Sequence, residues 1–91
     1  MSRMPRIEII DYPYHIIQRG NRNQNVFIKE SDKAKYLDIL RIQANLFRLE
    51  IWAYCLMDNH VHFIVKPLNE DSLAKAFRVT HQRYSLYLKG P

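Results

Sequence analysis

Two apolar runs on either side of Asp58-Asn59 constrain the fold of this 91-residue chain most strongly. The runs are residues 50–57 (EIWAYCLM) and 60–66 (HVHFIVK), and both are rich in the β-branched and aromatic residues that strands favour. Two residues are enough to connect antiparallel strands. The segment therefore predicts a β-hairpin. The continuous apolar character of its first run predicts a buried strand, with Cys55 buried in it.

Apolar residues at helical spacing predict two helices. The first is expected from about Asp32 to Phe47, with Ser31 as its N-cap, and its inner face comprises Tyr36, Leu40, Ala44 and Phe47. The second is expected to begin after a cap at Asn69, Asp71 or Ser72 and to end at Lys89-Gly90. Its inner stripe comprises Leu73, Phe77, Thr80, Tyr84 and Tyr87.

A further strand is predicted at residues 14–19 (YHIIQR), which makes the element order β-α-β-β-α. That order predicts an α+β fold of the ferredoxin-like, split βαβ type, an antiparallel sheet with two helices on one face. A complete version has a fourth strand, which we expect beyond Pro91. We therefore expect residues 1–91 to form one domain that is truncated at its C-terminus. An incomplete sheet has an exposed edge, so we also expect a homodimer.

The charge balance favours an anionic partner. Fourteen Lys and Arg against nine Asp and Glu give a net charge of +5, and nucleic acid is the commonest polyanion that such proteins bind. No apolar run approaches the length of a membrane span, and the N-terminus lacks the apolar segment of a secretion signal. We expect a cytoplasmic protein with no membrane partner.

His60 and His62 are the most informative pair of residues. Side chains two apart on a strand point to the same face, so two imidazoles can converge on one divalent cation. Val61, Phe63 and Val65 would occupy the other face and pack on the helices. The alternative is a pair of polar residues on a solvated sheet face, which is the commoner origin of such a short motif.

Basic and amide side chains in two acid-free stretches are candidates for DNA contacts. The first stretch lies between Asp11 and Glu30 and includes a polar loop, and the second follows Asp71 in the last predicted helix. Arginine and amide groups suit phosphate and base-edge contacts, and nearby tyrosines offer stacking surfaces for unpaired bases. The candidates are Arg19, Asn21, Arg22, Arg78 and Arg83. Taken singly, each basic residue is more typical of a solvated helix face.

Three segments together resemble one protein family. They are YCLMDNHVHFIVKP, which contains the histidine-hydrophobe-histidine motif, the upstream YHIIQRGNRNQNVF, and FRVTHQRYSLYLKG in the second helix. In this order and spacing they resemble the REP-associated, IS200-like transposases of the single-tyrosine HUH type. The resemblance extends from about Tyr14 to Gly90.

The resemblance implies an enzyme that cleaves and rejoins single-stranded or hairpin DNA. In such enzymes a tyrosine hydroxyl attacks a phosphodiester and forms a 5′-phosphotyrosine, and a divalent metal, Mg²⁺ or Mn²⁺, assists. By resemblance the metal ligands here are His60 and His62, and a third ligand and the nucleophile are expected beyond Pro91. Tyr84 and Tyr87 are the remaining candidates for the nucleophile, with core packing or base stacking as the alternative. We expect the 91-residue chain alone to be inactive.

Two other function classes compete with a transposase. One is a non-catalytic nucleic-acid-binding module on a ferredoxin-like sheet, which usually has aromatic residues on its exposed sheet face. The other is a small structural subunit whose sheet pairs with a partner. Histidines where such a binding module would have aromatics favour the enzyme.

Overall fold

Residues 7–19 and 26–90 are described by a computed structural model of the chain, and the predicted order of elements is confirmed. Asn21 and Arg22 lie outside the described residues. The elements are the strand β1 (Tyr14–Arg19), the helix α1 (Glu30–Leu46), the strands β2 (Leu49–Leu56) and β3 (His60–Pro67), and the helix α2 (Ser72–Lys89). Neither helix is both long and apolar enough to cross a membrane.

The three strands form one antiparallel sheet in the order β1-β3-β2, so β3 is the central strand. β2 and β3 are joined by the predicted hairpin, in which the Met57 N–H donates to the His60 carbonyl at 2.8 Å. β1 pairs with the other side of β3, with Arg19 opposite His60 and Tyr14 opposite Val65. These strands and helices confirm the α+β, split β-α-β-β-α arrangement.

Both helices cover the same face of the sheet. Val61, Phe63 and Val65 of β3 are at most 2% exposed and face the helices. The Phe63 ring lies 5.4 Å from Phe77 of α2 and 6.3 Å from Tyr36 of α1, measured between ring centroids. Because side chains alternate along a strand, His60 and His62 lie on the opposite, open face.

The expectation of a buried β2 is wrong. Only Leu49 of this strand is buried, and Cys55 is exposed. β2 lies at the edge of the sheet, and within the described residues no helix covers the face that carries Cys55. An apolar run in the sequence indicates a strand, but burial depends on what packs on its two faces.

The helix α1 begins before the expected cap at Ser31, which lies inside the first turn. Its N-cap is Lys29. The Asp32 carboxylate accepts hydrogen bonds from the N–H groups of Ile28 at 3.1 Å and Lys29 at 3.0 Å. An acidic side chain at the third position of the helix therefore accepts hydrogen bonds from the cap residue and the residue before it, which is the carboxylate half of a capping box.

The start of α2 is connected to Glu8, which precedes β1 in the chain. Its N-cap is Asp71, one of the three expected residues, and the cap lies in the left-handed region with φ of 62°. The cap side chain makes no capping hydrogen bond. Instead, the Glu8 carboxylate accepts hydrogen bonds from Leu73 N–H at 2.7 Å and Ala74 N–H at 2.9 Å.

Candidate metal centre

The two histidines of β3 approach each other on the open face of the sheet. The ring centroids of His60 and His62 are 4.9 Å apart, and the ring planes are inclined at 74°. Both side chains are half-buried. Both rings lie on this face because Val61 and Phe63, which are buried in the core, occupy the opposite face of the same strand.

This separation fits two ligands of one cation. A ring nitrogen bonds such ions at about 2.1 Å, so the centres of two rings on one ion lie at most roughly 6.5 Å apart. The observed 4.9 Å is within that limit. Both Nδ1 atoms already have polar partners, Asn59 for His60 and His15 for His62. The Nε2 atoms are therefore the nitrogens that could bind a metal.

The electrostatic environment keeps His62 neutral. Burial lowers the pKa of His62 below its usual 6.5, and the nearby His60, His15 and Arg19 lower it further. A base with a lowered pKa loses its proton at a lower pH, so the ring is neutral at pH 7. Only a neutral imidazole has the lone pair that a cation requires.

Two neighbours of the pair were not recognised as site residues from the sequence. Asn59 is one of the two residues predicted to connect the hairpin strands, and its Oδ1 lies 2.6 Å from Nδ1 of His60. His15 is in the predicted strand 14–19, and its Nε2 lies 3.3 Å from Nδ1 of His62, with the two rings stacked at 5.5 Å. Asn59 directly precedes His60, so the sequence itself could have indicated its contact with that ring. The contact of His15 depends on the β1–β3 register.

The candidate DNA-binding arginines are distributed over two sides of the molecule. Arg19 is exposed and lies directly opposite His60 in the β1–β3 register, so its guanidinium belongs to the histidine face. Arg78 and Arg83 are exposed on α2, which covers the other face of the sheet. The structure thus brings Arg19, but not Arg78 or Arg83, to the histidine pair.

The hydroxyl groups of Tyr84 and Tyr87 are bound within the helical layer. Tyr84 is buried, and its O–H donates to the Val26 carbonyl at 2.8 Å. The Tyr87 O–H donates to the Asp32 carboxylate at 2.8 Å. Burial and the neighbouring Asp32 raise the pKa of Tyr84 above its usual value, which opposes formation of a phenolate. Both hydroxyls are on the side of the sheet away from the histidines.

The described residues provide two candidate metal ligands, His60 and His62. Within residues 7–19 and 26–90, no three His, Cys, Asp or Glu side chains are grouped so that they could bind one ion. His15 is close to the pair, but its Nε2 is directed to His62. Two imidazoles leave most positions around a cation open to water, DNA or a ligand from elsewhere.

Comparison with known protein families gave one match. The sequence model of the family described as "Transposase IS200 like" matches residues 8–90, which is nearly the whole chain and includes every element of the fold. Comparisons with curated proteins and with solved structures gave no match.

Proposed function

Because the chain belongs to the family of IS200-like transposases, we propose that it acts in DNA transposition through single-stranded DNA, with His60 and His62 binding a divalent cation. Mg²⁺ and Mn²⁺ are the proposed ions. The observation that carries the proposal is the pair of neighbouring imidazoles whose Nδ1 atoms are both engaged and whose Nε2 atoms remain available. Two histidines that merely faced solvent would not need Asn59 and His15 as hydrogen-bond partners of their Nδ1 atoms.

The residues of the sheet would bind the cation and orient the DNA, and the bound cation would polarise the scissile phosphate. His60 and His62 fix the position of that charge on a rigid central strand. Arg19, opposite His60, adds a guanidinium that suits a phosphate oxygen. The open face is therefore where we place the DNA backbone during cleavage and rejoining through a 5′-phosphotyrosine.

The proposed nucleophile is a tyrosine other than Tyr84 and Tyr87. Their hydroxyls donate to Val26 and Asp32 on the helical side of the sheet, so neither can reach a phosphate at the histidines without rearrangement. We expect no covalent DNA adduct at Tyr84 or Tyr87. Mass spectrometry that detected an oligonucleotide on Tyr84 or Tyr87 would contradict this assignment.

Calorimetry with Mn²⁺ tests the metal site. The native chain is expected to bind one ion, and the double variant His60→Ala, His62→Ala is expected to show no binding. Ile64→Ala is the matched control, because Ile64 is exposed on the same face of β3 and has no ligand atom. Equal binding heats for the native chain and the double variant would exclude the proposed site.

DNA binding separates the transposase from a non-catalytic nucleic-acid-binding module. We expect salt-dependent binding that favours a single-stranded or hairpin oligonucleotide over a blunt duplex. In the transposase, Mn²⁺ should strengthen binding only when both histidines are present. Metal-independent binding that the double variant retains in full would favour the non-catalytic module.

A further inference from the structure

The two candidate ligands each contact a polar side chain that is not itself a ligand. Resting on the metal site proposed above, we propose that Asn59 and His15 are positioning residues for His60 and His62. Each fixes the Nδ1 side of one ring, so that both Nε2 atoms are unprotonated and available to the same cation. The contacts are 2.6 Å for Asn59 Oδ1 and 3.3 Å for His15 Nε2.

The contact of Asn59 determines the proton position on His60. An amide oxygen only accepts hydrogen bonds, so the His60 Nδ1–H is the donor. A neutral imidazole has one N–H, which leaves the Nε2 of His60 with a lone pair. Asn59 belongs to the tight turn between β2 and β3 and directly precedes His60, the first residue of β3. The turn therefore fixes its amide beside the His60 ring.

The contact of His15 acts in the same way on His62 from a different strand. In the β1–β3 register Ile17 is opposite His62, which makes His15 its diagonal neighbour on the same face. The ring planes of His15 and His62 are inclined by only 24°. His15 therefore restricts rotation of the His62 ring and also determines which of its nitrogens carries the proton. When His62 Nδ1–H donates to His15 Nε2, the Nε2 of His62 remains free. His15 is exposed, so its own N–H is open to solvent.

His15 acts through His62 and is not a third ligand. Its Nε2 is the atom that contacts His62, so that nitrogen is not available to the cation. Metal-binding histidines usually donate their second N–H to a fixed acceptor, which orients the ring and raises its basicity. Asn59 and His15 are two acceptors of this kind, placed at the two rings by a turn and a neighbouring strand.

Nitrogen-15 NMR of the metal-free protein tests the proton positions directly. At a pH where the rings are neutral, His60 and His62 are both expected as the Nδ1–H tautomer. Asn59→Ala should move only His60 toward the Nε2–H form, which neutral imidazole favours in water, and His15→Ala should move only His62. Native rings in the Nε2–H form, or tautomers that do not change in these variants, would overturn the proposal.

Mn²⁺ calorimetry provides the second readout. Asn59→Ala and His15→Ala should each weaken binding by about 10- to 100-fold. Asn59→Asp and His15→Gln, which restore an acceptor at the same place, should recover most of the affinity, and Ile64→Ala should change little. Variants with native affinity would overturn the positioning role. A native chain that binds no Mn²⁺ would instead overturn the metal site, and the tautomers would still decide the roles of Asn59 and His15.

Discussion

At the level of single residues, the carboxylate of Glu8 caps the helix α2, whose Leu73 lies 65 positions later in the chain. It receives the N–H groups of Leu73 and Ala74, and an anion at a helix N-terminus also interacts favourably with the helix dipole. We predict that Glu8→Gln lowers the free energy of unfolding by about 1 kcal/mol in urea denaturation. Glu70→Gln, an exposed acid close to the same helix start, is the control. Equal losses in both variants would contradict the capping role.

His81 hydrogen-bonds to the Tyr36 hydroxyl at 2.9 Å, on the helical side of the sheet. Burial lowers the pKa of His81 from 6.5 to about 4. Between these pH values the unfolded chain binds a proton that the folded chain does not, so stability is lost as the pH falls. The shift corresponds to roughly 3 kcal/mol at most.

Urea denaturation at pH 7 and pH 4.5 checks this dependence. His81→Gln retains a polar group for Tyr36 but does not titrate, so the variant should lose clearly less stability than the native chain over the same interval. The same loss in both proteins would assign the pH dependence to other groups.

At the scale of elements, Asp32 connects the start of α1, the segment before it and the end of α2. Its carboxylate binds the N–H groups of Ile28 and Lys29 and the hydroxyl of Tyr87. The hydrogen bonds from Tyr87 and Lys29 lower the pKa of Asp32, so its stabilising effect is present at neutral pH and is lost in acid. The adjoining Val26 and Phe27 N–H groups bind the Asp58 carbonyl in the hairpin turn.

We predict that Asp32→Asn accelerates amide hydrogen exchange at Ile28 and Lys29, because a neutral amide accepts hydrogen bonds more weakly than a carboxylate. Tyr87→Phe should have a smaller effect in the same direction, since it removes one of three partners. Asp38→Asn, on the exposed side of α1, is the control. Unchanged exchange in Asp32→Asn would show that other contacts fix this segment.

At the scale of the whole molecule, the two edges of the sheet differ. β2 has an irregular register between Ile51 and Ala53, and such irregularities hinder pairing with another chain. β1 pairs with β3 in a continuous register over all six of its residues, and β3 is its one neighbour within the described residues. We therefore propose that a homodimer forms through β1.

Light scattering at micromolar concentrations should give the mass of a dimer. Amide exchange along β1 should slow as the concentration rises, while exchange along β2 should not change. A monomer over this concentration range, or protection confined to β2, would contradict pairing through β1.

Local patterns in the sequence predicted the elements and the central pair of the candidate site. Alternation along HVHFIVK placed His60 and His62 on one face and Val61, Phe63 and Val65 on the other, and this arrangement is observed. The helical stripes were equally informative, since Tyr36, Leu40, Leu73 and Phe77 are all buried. Such patterns follow from the geometry of a single strand or helix, so neighbouring residues are sufficient to reveal them.

Contacts between residues of distant segments depend on how the strands and helices pack together. The β1–β3 register places His15 beside His62 and Arg19 opposite His60, and a shift by one residue would have turned both away from the site. Cys55 is exposed because β2 lies at the edge of the sheet. Glu8, which precedes β1, contacts the start of α2. These contacts depend on the packing of the whole sheet and helices, which no local pattern in the sequence encodes.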